Sequence, residues 1–200
     1  MIKVLITGSI GSGKSTACKM FEELGTPVFY SDLSARKIMD SNKEVIEKVK
    51  SEFKGVYEGG KLNRKELAAI VFNDPDKLEI LNEIVHPVVG KAFESFVEIN
   101  EVPFKDSKYV IEEAAIAIEL GIHDDFDYIV VVTADEDIRI KRTMERDNCT
   151  EEQVRERMDN QMPDWKKVES ADFVIINNDF PNLECQVKSI HKKILDKINK

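Results

Sequence analysis

The sequence predicts an α/β fold of about five parallel strands flanked by helices, carrying a helical insertion and a small helical lid. Three observations predict it. Residues 2–7 (IKVLIT) are a short β-rich run that leads into a glycine-rich turn. Residues 14–24 then carry helical spacing through Ala17, Met20, Phe21 and Leu24, Gly25 stops the helix, and Pro27-Val28-Phe29-Tyr30 reads as a second strand. Strand, loop, helix and strand make the opening βαβ unit of a parallel sheet. Further β-like runs occur at Tyr109-Val110-Ile111, Tyr128 to Val132 and Phe173 to Ile176, each followed by a helical pattern.

Between the second strand and Tyr109 lies a long, mostly helical stretch, residues 31–106. Its apolar positions include Leu67, Ile70 and Val71, then Leu78, Leu81, Ile84 and Val85. Asp74-Pro75 opens the second of these helices, because proline is tolerated in a first turn, and Pro87 is expected to bend or break it. A stretch this long exceeds a loop and is expected to be a substrate-side subdomain within a single 1–200 domain. A second charged helical region, 135–168, is rich in arginine and poor in large apolar residues, which suits a lid. Thr150 with Gln153 three residues on is a capping-box pattern, so a fresh helix starts there.

Composition narrows the function. The chain has 200 residues, 42% hydrophobic and 34% charged, with a formal net charge of −9. That balance disfavours a general nucleic-acid binder, which needs clustered Lys and Arg, but leaves room for a local basic pocket for phosphate. No run approaches the roughly 20 apolar residues that span a bilayer, so no membrane partner is expected. The apolar N-terminus reads as a strand and not as a secretory signal. Cys18, Cys149 and Cys185 are odd in number, widely spaced and outside any metal-ligand pattern, compatible with a reducing cytoplasm.

Residues 8–15 (GSIGSGKS) match G-x-x-x-x-G-K-[ST], after a strand and before a helix as that motif requires. Gly8, Gly11 and Gly13 let the backbone approach an anion, and the amides of the loop, Ser12 and Thr16 included, point toward it together with the helix dipole. Lys14 is placed to reach the β- and γ-phosphates and the Ser15 hydroxyl to ligate Mg²⁺. The alternative is a glycine turn without a ligand, which motif and context together disfavour. The expectation is an ATP-binding phosphotransferase on a P-loop kinase core.

Asp32 follows the second strand by two residues, on the sheet edge beside the loop-bearing strand. It can act as general base toward an attacking hydroxyl, or cap a helix over 33–39. Arg139, Arg142 and Arg146 can share one helix face, with Asp135 placed to pair with Arg139, Asp137 with Lys141 and Glu145 with Arg142. The like charges of Arg142 and Arg146 suit a shared anion, so lid cations over developing charge compete with a solvated helix face. His86 sits among apolar neighbours, where a structural role is commoner than contact with substrate. Glu112 and Glu113 end the third strand, where Glu113 can orient magnesium through water or both can be polar strand-end residues, while the YIVVV strand ends in Thr133 without a carboxylate.

Taken in order, these residues resemble the dephospho-coenzyme A kinases over nearly the whole chain. The resemblance rests on GSIGSGKST (8–16), Gly25, Asp32-Leu33-Ser34-Ala35-Arg36, and Leu81-Asn82 with His86-Pro87. It continues through Glu119, Lys141-Arg142-Thr143-Met144 with Arg146-Asp147, Gln161, and Ala171-Asp172-Phe173-Val174-Ile175 with Asn177-Asn178. It implies transfer of the γ-phosphoryl group of ATP, with Mg²⁺, to the ribose 3′-hydroxyl of dephospho-CoA. It further implies Asp32 as base, Arg142 as lid cation, Arg36 and His86 on the acceptor, Asn177 near the adenine, and 31–106 as the CoA-binding region. Two positions depart from the family pattern: Tyr30 stands where an acid is common, and Ala115-Ile116-Ala117 where Pro-Leu-Leu is common. A nucleoside monophosphate kinase would need several arginines in the insertion, which contains only Arg36 and Arg64. A slow nucleotide switch would need a residue poised over water, and none is evident.

Overall fold

A computed structural model describes residues 1–71, 73–101 and 107–199. The chain divides into two compact units, one of residues 1–30 with 99–200 and one of residues 31–98.

The first unit is built on a parallel sheet of β1 (Ile2–Thr7), β2 (Val28–Tyr30), β5 (Tyr109–Glu113), β6 (Tyr128–Thr133) and β7 (Phe173–Ile176). Their spatial order is β2-β5-β1-β6-β7, every pair parallel. The period-two alternation of the central strands feeds two cores. Val4, Ile6, Val130 and Val132 face one side with α1 (Lys14–Glu23) and α9 (Phe180–Ile198), whereas Leu5, Ile129 and Val131 face the other. All six central Val, Leu and Ile residues from Val4 to Ile6 and Val130 to Val132 are fully buried. Each stabilises the sheet by about 1.5–3 kcal/mol. Three further helices, α6 (Glu136–Asp147), α7 (Glu151–Asp159) and α8 (Asp164–Glu169), connect β6 to β7. The Thr150 capping box at the start of α7 forms in full.

The strand order corrects one expectation. Asp32 follows β2, but β2 does not lie beside β1, because β5 is inserted between them. Sequential strands are adjacent only about two-thirds of the time. Here the α1 crossover skips one position, and β5 fills it.

The second unit contains α2 (Ser31–Ser41), α3 (Lys43–Glu52), a short antiparallel pair β3 (Tyr57–Glu58) and β4 (Lys61–Leu62), α4 (Arg64–Val71) and most of α5 (Pro75–Asn100). The hairpin was not expected from the sequence; Gly59 and Gly60, both at positive φ, turn it. Arg64 ties α4 to α2, donating to Asp40 at 2.6 Å and to the Arg36 carbonyl at 3.2 Å. The helix that Pro87 was expected to bend or break runs from residue 75 to 100 as a single α5. Proline in a helix interior costs about 3 kcal/mol. Val85, Val89, Phe93 and Val97 recur every fourth residue and are all buried, a stripe whose burial exceeds that cost. Of the stretch 31–106, residues 72 and 102–106 lie outside the described residues.

Candidate active site

The phosphate-binding loop joins β1 to α1 at the carboxyl edge of the sheet, where ligands bind in open α/β folds. Its shape is dictated from behind. A Cβ on Gly8 would lie 2.0 Å from the Val132 carbonyl oxygen, and one on Gly13 would lie 2.1 Å from Asn177 Nδ2. Gly8, Gly11 and Gly13 all take positive φ, at 145°, 77° and 89°. Side chains at residues 8 and 13 are thus excluded by β6 and by the residue after β7.

Lys14 folds back over this loop. Its Nζ donates to the Gly8 carbonyl at 2.7 Å and approaches the Ser9 carbonyl at 3.4 Å. The ammonium is therefore turned onto the first residues of the loop. Ser15 and Thr16, in the first turn of α1, are exposed with their hydroxyls on the same terminus. Ser12 is fully buried, and its hydroxyl has no hydrogen-bond partner among the described residues.

Arg142 and Asn177 are brought to the loop. Arg142 donates to the Asn177 carbonyl at 2.8 Å, and the Asn177 side-chain amide donates to the Ser12 carbonyl at 2.8 Å. The Asn177 backbone amide in turn donates to the Thr133 carbonyl at 2.7 Å, extending the β6–β7 pairing by one bond. The expected arginine pairings are corrected. Arg139 turns inward, is 9% exposed, and lies 3.6 Å from Asp164 instead of pairing with Asp135. Arg142 takes a backbone carbonyl, not Glu145, and Arg146 pairs with its neighbour Asp147 at 2.7 Å. Helical i,i+4 spacing identifies neighbours on an isolated helix, but α6 lies against the phosphate loop at Gly11 and brings Arg139 to the carboxylate of Asp164.

That carboxylate was missed by the sequence. Thr133 does end β6 without an acid of its own, but Asp164, at the start of α8, accepts its hydroxyl at 2.5 Å and also accepts from Ser9. Gln161, noticed only as part of the family pattern, accepts the Ile10 amide at 2.8 Å. The available signal for Asp164 was Pro163, which stands directly before α8 and marks a helix start.

Glu112 and Glu113 are both buried at the end of β5. Glu113 registers with Ile6 of β1 on one side and with Tyr30 of β2 on the other, so it stands between the strand that enters the loop and the strand that leads to Asp32. The Tyr30 hydroxyl donates to Glu22 at 3.0 Å; burial, then this bond, pushes its pKa well above the usual phenol value. Asp32, Arg36 and His86 belong to the second unit. Asp32 and Arg36 are exposed one turn apart on α2, and His86 is half-buried in α5, where burial lowers its pKa. Because α2 begins at Ser31, Asp32 lies inside its first turn and is not the cap of a helix starting at Leu33.

Known proteins are similar to this chain in sequence and in fold. The family model for dephospho-CoA kinase matches residues 2–182. A dephospho-CoA kinase of Chlorobaculum tepidum is 39% identical over 197 residues, covering 95% of this chain and 93% of its own. The solved structure of a dephospho-CoA kinase from Campylobacter jejuni aligns at a TM-score of 0.69 and 28% identity, over 96% of each chain. A shikimate kinase from Acinetobacter baumannii, 16% identical, aligns at 0.55 over 98% of this chain and 94% of its own, and shares the fold. A match that spans the loop, Arg142 and Asn177 together leaves one assignment: the chain belongs to the dephospho-CoA kinase family.

Proposed function

We propose that this chain transfers the γ-phosphoryl group of ATP to the ribose 3′-hydroxyl of dephospho-CoA, releasing CoA and ADP in the last step of coenzyme A biosynthesis. The observation that carries the reading is the glycine-lined loop with Lys14 folded back onto it, in a chain of this family over residues 2–182. Gly8, Gly11, Ser12, Gly13, Lys14, Ser15 and Thr16 bind the phosphates through backbone amides and the Lys14 ammonium. Asn177, seated on the Ser12 carbonyl, flanks the adenine, and Arg142 beside it supplies positive charge as negative charge develops on the transferred group.

Asp32 accepts the proton of the attacking hydroxyl, and Arg36 and His86 bind the acceptor. Residues 31–106 form the acceptor-binding region and residues 135–168 the lid. Arg64 is engaged by Asp40, which leaves Arg36 as the other arginine of that region. A single guanidinium suits an acceptor whose recognition does not hinge on a cluster of arginines. Ser15, an exposed hydroxyl at the start of α1, fits a hard cation that retains water and substrate oxygens. Mg²⁺ supplies charge neutralisation on the β- and γ-oxygens when bound. Among the described residues no helix is long and apolar enough to cross a membrane; the reading places the reaction in the cytoplasm, on small-molecule substrates.

The test supplies Mg-ATP with dephospho-CoA, with AMP, or with no acceptor, and follows ADP. The expected result is ADP formation that depends on dephospho-CoA. Equal ADP release without an acceptor, or preferential release with AMP, would overturn the reading.

A further inference from the structure

The phosphate loop is held from outside by the segment between α7 and α8. Gln161 Oε1 accepts the Ile10 amide at 2.8 Å, and the Asp164 carboxylate accepts the hydroxyls of Ser9 and Thr133. Ser9 and Ile10 are 3% and 8% exposed, so water does not replace these acceptors readily. Asp164 thereby joins the outer limb of the loop to the end of β6, with Arg139 of α6 placed 3.6 Å from the same carboxylate.

The segment is itself anchored on its far side. Met162 donates its amide to Glu119 at 3.2 Å. Lys167, fully buried, pairs with Glu119 at 2.6 Å and donates to the Ala115 carbonyl at 2.9 Å. Met162 and Val168 pack on the core cluster of Leu5, Ile129 and Val131. Such attachments suit a rigid support. They do not suit a hinge or the tip of a lid, which would be drawn from weakly attached structure.

We propose that Gln161 and Asp164 are positioning residues for the phosphate loop, and that residues 161–164 are a fixed strap within the region otherwise read as lid. By holding the Ser9–Ile10 limb in place, they aim the amides that follow before any nucleotide arrives. A loop ordered beforehand loses less freedom on binding, which raises affinity without adding a contact to the ligand. This rests on the reading of the loop as an ATP site. It does not depend on the identity of the acceptor.

The experiment compares full-length wild type with Gln161→Ala, Asp164→Ala and Asp164→Asn. ATP is titrated by calorimetry without acceptor, and KM is measured for both substrates. Gln161→Ala and Asp164→Ala are expected to weaken ATP binding about tenfold and to raise the KM for ATP alone. Asp164→Asn fills the same volume and still accepts a hydroxyl, so it is expected to recover most of the loss. Hydrogen exchange at the Ile10 amide is expected to quicken in Gln161→Ala. Unchanged ATP affinity in folded Gln161→Ala would overturn the proposal, as would an equal rise in both KM values, which marks a general loss of structure. If Asp164→Ala does not fold, Gln161→Ala decides the matter by the same criteria. A wild type that binds no ATP would sink the functional reading itself, whereas a Gln161→Ala variant that binds as wild type does would sink only the strap.

Discussion

The side-chain amide of Asn177 donates to the Ser12 carbonyl at 2.8 Å and occupies the space that a Cβ on residue 13 would need. One residue after β7 therefore both seats the phosphate loop and forbids a side chain within it. Gly13 carries a second constraint, a φ of 89°. Gly13→Ala is expected to displace Asn177, shift Ser12 and reduce ATP affinity by more than about tenfold in a titration. Gly25 gives the control. It has a similar φ of 86°, but an added methyl there meets nothing among the described residues within 4 Å, so Gly25→Ala adds only backbone strain. Its cost is expected to be about 1–2 kcal/mol of stability by urea denaturation, with both KM values unchanged.

Lys167 is fully buried and meets one carboxylate oxygen of Glu119, while the other oxygen of Glu119 is buried without a partner among the described residues. Removing one member of such a pair leaves an uncompensated charge, at a cost of about 3–5 kcal/mol. Lys167→Met is therefore expected to lower stability by that amount in equilibrium unfolding. Replacing both partners, Lys167→Met with Glu119→Gln, is expected to recover a large part. A double variant no more stable than Lys167→Met alone would show that the bond to the Ala115 carbonyl, and not the charge pair, is what matters there.

What could be read in advance follows from how local each determinant is. The β1–loop–α1 unit was legible because every demand, from glycine at 8 and 13 to Lys14 and Ser15, falls within eight consecutive residues. The capping box at Thr150 was legible for the same reason. Strand order was not, since the place of β5 between β1 and β2 depends on distant pairings, Ile2 with Tyr109 and Val28 with Ile111. Pro87 does not break α5, because local propensity says break while the buried stripe through Val97 says continue. Asp164 was invisible as a site residue because its partner Ser9 lies 155 positions away. The arginines of α6 show the limit of surface reasoning: spacing placed them on one face, but only packing could say that Arg139 points inward.

Asp147, at the C-terminal end of α6, accepts two bonds from Arg146 and one from Arg157 of α7 at 2.6 Å. The Arg146 bonds, then the Arg157 bond, hold its pKa well below the usual carboxylate range. Because the folded-state pKa is depressed, the stabilisation is present above the unfolded value of about 3.9 and is lost as pH falls toward the folded value. Asp147→Asn is therefore expected to be less stable than wild type at pH 7, with the two converging as the pH is lowered below about 4. Thermal melts across that range check this. A difference that stays constant down to about pH 2 would assign the effect to packing and not to ionisation. Since the carboxylate is partly exposed, salt is expected to shrink the gap as well.

Asp32 is exposed in the first turn of α2, two residues beyond the end of β2. The phosphate loop is seated by Lys14, Asn177, Gln161 and Asp164, all of the first unit, whereas Asp32 belongs to the second. Chemistry and nucleotide affinity should thus separate at this residue. Asp32→Asn removes the proposed proton acceptor while keeping the side chain's size. ATP binding is expected to stay within about twofold, and kcat to fall by roughly 10²–10⁴, the usual contribution of a general base. The loss is expected in single-turnover measurements too, where product release plays no part. Transfer at near wild-type rate would leave Asp32 a helix-terminus acid that favours the dipole of α2, and the search for the base would move to Glu113, the buried carboxylate registered beside Tyr30.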